Sequence, residues 1–122
     1  MSVTTLIGRI GDPITVYRPT TGENADGSLA VTGWTLISTG TKASLQVVTD
    51  EYRAKVFGMQ SQASYRGYVA GAPDIQKGDG VLVAAGDLNG SRWMVEERLA
   101  HDFKSPNKHI VLGLAKTDLV FP

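Results

Sequence analysis

The chain contains no cysteine. That excludes a disulfide framework, a thiolate metal site and a cysteine nucleophile. It also lacks an excess of either charge, since 12 Lys+Arg balance 12 Asp+Glu. A protein built mainly to grip nucleic acid is usually basic, so no global field steers this one toward DNA. No apolar stretch approaches the roughly 18 residues a membrane-spanning helix needs. The opening MSVTTLIGRIGDP has no basic stretch followed by a long apolar run. It does not read as a signal peptide, and the chain is expected to be made and used without export. Catalytic signatures are scarce too. His101 and His109 lie either side of a segment holding Pro106, with no HxH, HExxH or His–carboxylate spacing. GxSxG, Walker-type and dinucleotide motifs are absent. Asp79 and Asp87 each stand beside a glycine, where Asp serves as a turn residue. Asn89-Gly90-Ser91 is formally a glycosylation sequon but sits where a hairpin turn is expected. No catalytic residue, cofactor or metal site is expected, and the chain does not read as an enzyme.

What is present is alternation. Val81 and Val83 fall on one face of a strand, with Leu82 on the other. Asp87-Leu88-Asn89-Gly90 supplies turn chemistry, since Asn and Asp tolerate left-handed backbone and Gly adopts it freely. The chain then returns with Trp93, Val95 and Leu99 on one face and Arg92, Met94, Glu96 and Arg98 on the other. That pattern predicts a β-hairpin. Glu97 is the misfit on the apolar face and predicts a bulge or a strand end nearby. Trp34 and Trp93 both read as core residues.

Other strands are expected at Pro13–Arg18, Leu29–Ile37, Thr41–Val48, Ala63–Val69 and His109–Ala115. Pro19–Ser28 reads as a turn-rich loop, and Glu51–Phe57 fits a strand or a short helix. The 122 residues make one domain, 1–122, with an N-terminal arm over 1–12 and a C-terminal tail over 116–122. About six to eight short strands with glycine-rich turns predict an all-β fold, a small antiparallel barrel or sandwich with an extended loop and terminal arms. Leu6, Ile7 and Ile10 at one end, and Leu119, Val120 and Phe121 at the other, are apolar residues outside that barrel. They are expected to dock on neighbouring subunits or partner proteins.

One cluster suggests a ligand. Arg53, Lys55 and Arg66 are interleaved with Tyr52, Phe57, Tyr65 and Tyr68. Basic and aromatic residues together suit a nucleic-acid backbone, as in an OB-like single-strand binder, but with the acidic Asp50 and Glu51 alongside they read first as a solvated strand face beside a core face.

The order of segments resembles the head–tail joining family of tailed bacteriophages, also called head-closure, stopper or neck-connector proteins. The matching pieces are ITVYRPTTGENADGS, GWTLISTGTKASLQV, ASYRGYV, IQKGDGVLV, RWMVEERL and HIVLGL, spanning roughly residues 13–115. The resemblance implies a small antiparallel β-barrel and a structural virion protein. It implies a homo-oligomeric ring in the virion neck, made in the host cytoplasm, between a portal or adaptor protein and a tail terminator or other tail protein. Double-stranded DNA would pass through its channel, with no membrane involved. By the same analogy, the segment before the Arg66 strand faces the channel, placing Asp50, Glu51, Arg53, Lys55, Gln60 and Gln62 in its wall. A near-zero charge suits a channel through which DNA slides, since a strongly basic one would hold the phosphates. A tail-side or baseplate structural protein is the neighbouring expectation.

Overall fold

β-branched and aromatic residues at every second position build six strands: β1 (Asp12–Glu23), β2 (Leu29–Val47), β3 (Tyr65–Ala70), β4 (Gly80–Val83), β5 (Arg92–His101) and β6 (His109–Lys116). The computed structural model describes residues 6–7, 11–23, 25–58, 61–71, 73–101, 108–117, 119 and 121. The strands pair antiparallel in the order β1-β2-β3-β6-β5-β4, and β4 returns to β1 to close a barrel. The all-β expectation is met, and of its two forms the barrel is the one observed.

Alternation fills the interior. Ile14, Val16, Ala43, Val69, Val81, Val83, Trp93, Val95, Ile110, Leu112 and Leu114 all point inward, and Ile75 joins them from the β3–β4 connection. Val81 lies opposite Trp93, and Val95 opposite Leu114, as the hairpin pattern required. Trp93 packs edge-on against Tyr65, with ring centres 5.0 Å apart, and its indole N–H donates to Ser91 Oγ at 2.8 Å.

The misfit at Glu97 marks a bulge: the β5–β6 register shifts between Val95 and Glu97. One extra residue reverses which face the following side chains take. Leu99, grouped with Trp93 and Val95 by simple alternation, therefore leaves the interior. It lies opposite Val111 and packs in a second apolar cluster with Val48, Phe57, Ala63 and Tyr68.

Of the two forms open to Glu51–Phe57 the structure shows the helical one, and Pro19–Ser28 departs from its expected loop. Glu51–Phe57 is helical: α1 (Asp50–Tyr52) runs on into a π-helical turn, Arg53–Phe57. Pro19–Ser28 is a loop only at its tip. β1 continues to Glu23, paired with Leu29, so β1 and β2 form a long hairpin. β4 pairs with β1 only as far as Tyr17, and β3 meets β2 only from Ala43 onward. The outer part of the hairpin, residues 18–36, is thus a two-stranded arm. The expected connection at Ala100–Asn107 lies largely outside the described residues. No helix among the described residues is long and apolar enough to cross a membrane.

Candidate functional site

The expected channel segment starts where β2 ends. Thr49 Oγ1 accepts from the Tyr52 amide at 3.1 Å, capping the helix, and Asp50 and Glu51 follow in its first turn, where negative charge meets the free amides. Arg53 then turns back to Asp50 at 2.8 Å, and Lys55 to Glu51 at 2.7 Å. Two acids and two cations thus neutralise each other within about two turns. Arg53 also donates through Nε to the Ala63 carbonyl at 2.8 Å, so it is half-buried rather than free in solvent. Phe57 is buried and meets Tyr52 edge-on at 5.5 Å. The wider π-turn sets residues five apart on one side, and both rings pack onto the barrel wall. Gln62 is exposed, and its backbone amide donates to Glu96 Oε1 at 2.8 Å. Gln60 lies outside the described residues.

The basic–aromatic cluster is split by the sheet. Tyr65 points into the barrel, whereas Arg66 and Tyr68 point out. The Arg66 guanidinium lies 4.2 Å from the Tyr52 ring centre and 5.7 Å from that of Tyr68. It also donates to Gln46 Oε1 through Nε at 3.2 Å and NH2 at 2.9 Å. Burial, and then the neighbouring Tyr52, push the Tyr68 phenol above its ordinary value. The rings around Arg66 therefore join α1 to the barrel rather than offering open faces for stacking bases.

The terminal residues divide as well. Phe121 is 1% exposed, lodged against Tyr17 at 5.5 Å and Trp34 at 4.8 Å between ring centres. Arg92 donates to its carbonyl at 3.4 Å and lies over its ring. Gly80 makes the seat, since a Cβ there would fall 2.8 Å from the ring. Trp34, expected in the interior, instead packs outside the barrel on this ring. Ile7 is buried too, and its carbonyl accepts from the Gly11 amide. Both Ile7 and Phe121, expected to dock on a neighbour, are covered by their own chain. Leu6 and Leu119 remain exposed, and Ile10 and Val120 lie outside the described residues.

Alternation did not reveal a buried ion pair. The Asp79 side chain is almost fully enclosed and takes Arg18 on both oxygens, Nε at 3.1 Å and NH2 at 3.0 Å. The Gln76 amide adds a third bond at 2.8 Å. Arg18 also reaches Asp74 at 3.2 Å. Hydrogen bonds to the two carboxylates hold the guanidinium above its ordinary range, and they draw Asp74 below its own. This latch ties β1 to the connection that carries Ile75 into the core. In sequence, Gly78-Asp79-Gly80 gives only a turn signal.

Among the described residues no group of three or more His, Asp or Glu is placed to hold a metal, and no buried side-chain polar atom lacks a hydrogen-bond partner. No protein-family model matches the sequence, and no curated protein matches it. Among solved structures, the solution structure of protein SF1141 from Shigella flexneri 2a is similar, with a TM-score of 0.66. The match covers 93% of this chain and 98% of that one at 18% identity. At that identity the likeness shows the fold and nothing about activity.

Proposed function

We propose that the chain is a structural subunit of a tailed-phage neck, forming a homo-oligomeric ring between portal or adaptor and tail through which double-stranded DNA passes. One observation carries the reading. The segments whose order resembles the head–tail joining family supply strands of a closed antiparallel barrel, the fold that family implies. The internal neutralisation of Asp50, Glu51, Arg53 and Lys55 supports it, because a wall of paired charges guides DNA without holding its phosphates. In this reading the role is structural and not catalytic. The OB-like reading is less favoured, because Tyr65 and Phe57 are committed to packing and Tyr52 to Arg66. Electron microscopy of the purified protein, alone and mixed with a portal, tests the proposal. Rings seated on portals are expected. A chain that stays monomeric in both samples rules the reading out.

A further inference from the structure

The β1–β2 arm leaves the barrel at a defined rung. Tyr17 opposite Gly80 is the last pair that β1 makes with β4. Beyond it, among the described residues, the strands of the arm pair only with each other. An isolated two-stranded hairpin is marginal in water, so such a ribbon does not by itself hold a fixed direction against the barrel. Its root is also built to bend. The β1–β2 register shifts between Ile14 and Val16 and again between Val16 and Tyr17. Each shift bends and twists the strand that carries it. Gly40, beside these shifts, has left-handed backbone with φ at 76° and open space where a side chain would lie.

Two side-chain grips act at this root, one on each face, because successive residues of a strand point to opposite faces. On one face Arg18 goes to Asp79 and Asp74, one residue past the rung. On the other, the Phe121 side chain sits on Gly80 and Tyr17 and reaches out to Trp34, which lies opposite Pro19 on the arm. Phe121 therefore spans from barrel to arm, whereas Arg18 pins the pivot. The tail is lightly held. Its Phe121 carbonyl takes a long bond from Arg92 Nε, 3.4 Å, so the hold comes mainly from the aromatic contacts. Beyond Trp34 the arm braces itself. Thr32 Oγ1 donates to the Thr20 carbonyl and Ser28 Oγ to Asp26, while Leu29 is 74% exposed.

We propose that Phe121 is a strap that sets the direction of the arm. With Phe121 seated, the arm is fixed against the barrel. With Phe121 out, the arm swings about the root at Tyr17 and residues 37–40, with Arg18 as the pivot. Seating and release of one side chain thus decide where the exposed Leu29 and Val31 point. The inference goes beyond the neck-subunit reading and does not depend on it, since a single copy shows the swing.

The absence of cysteine allows a direct distance measurement. Leu29→Cys at the arm tip and Asp87→Cys on the exposed β4–β5 turn are spin-labelled together in the full chain. Pulsed electron resonance should give one narrow distance, and adding Phe121→Ala should broaden it. In the unlabelled protein, Phe121→Ala should speed amide hydrogen exchange across residues 19–35 about tenfold, from the loss of two aromatic contacts, with β3 amides unchanged. Gly80→Ala, which crowds Phe121 out, should broaden the distance with every arm residue kept, and it carries the comparison if Phe121→Ala does not fold. A distance already broad in the labelled chain without Phe121→Ala, or one that stays narrow in the folded variants, overturns the proposal. Equal acceleration of arm and β3 amides overturns it too, since Phe121 would then be an ordinary core residue.

Discussion

Asp79 carries a charge where little water reaches it, and only its partners make that tolerable. Removing one member of a buried pair typically costs about 3–5 kcal/mol, because the other charge is left without compensation. Here Arg18 is part-exposed and keeps Asp74, so Asp79→Ala should cost near the lower end, about 3 kcal/mol in a urea melt. A loss below about 1 kcal/mol would show that solvent replaces the pair. Asp74 adds a pH dependence. Arg18 holds its carboxyl below the ordinary 3.8, so its contribution is fully present above that value and is lost as pH falls through the lowered one. The melting temperature should stay level from neutral pH to about pH 5 and fall below about pH 4, with a smaller fall in Asp74→Asn. Trp93 tests the core itself. It meets Tyr65 and the Val81 strand, and truncation of such a residue to Ala costs about 3–5 kcal/mol. Against the roughly 5–15 kcal/mol of a typical fold, Trp93→Ala should melt far below wild type.

At the scale of elements, the C-terminal tail and the α1 segment make separable predictions. Gly80→Ala would drive a methyl into the Phe121 ring and should unseat the tail while the barrel holds. Carboxypeptidase should then trim that variant faster than wild type; equal rates would mean that the ring simply shifts. In the π-helical turn that follows α1, Lys55 is exposed and Arg53 is half-buried. Lys55→Glu should change stability by less than about 0.5 kcal/mol. Arg53→Glu loses the bond to the Ala63 carbonyl and sets a third acid beside Asp50 and Glu51, so it should cost about 1–2 kcal/mol by thermal melt. The same elements show what the residues alone could say. Period-two alternation revealed the β4–β5 hairpin and its bulge, because each inward side chain there meets another across the barrel. It did not reveal the arm, since PTTGENADGS has the composition of a loop and its pairing comes only from the opposite strand. Nor did it place Phe121, whose seat exists because a distant glycine leaves a gap. Among the expected channel residues, charge type was legible; that Arg53 and Lys55 were already paired was not, because pairing depended on the segment being helical rather than extended.

For the whole molecule, the deciding quantity is how charge is spread. Net charge is zero, and cations other than Arg18 also have a carboxylate partner: half-buried Arg53 with Asp50, and exposed Lys55 with Glu51 and Lys77 with Glu97 at 3.9 Å. Each phosphate neutralised by a free Lys or Arg adds nearly one unit to the salt dependence of duplex binding. A channel segment whose two cations are engaged in this way should release few counterions. Purified protein titrated with duplex DNA at about 50 mM and 150 mM salt should therefore bind weakly, with a dependence corresponding to no more than one or two phosphate contacts per subunit. Fluorescence anisotropy reads this directly. The reasoning holds for a ring as well as for a subunit, because repeating a neutral segment around an axis gives a neutral wall, whereas repeating even one free cation gives a basic one. A steep salt dependence would mean that the pairs open toward DNA, and the sliding-channel reading would fail. Tight, salt-tolerant binding confined to single strands would instead point to base stacking and favour the OB-like reading.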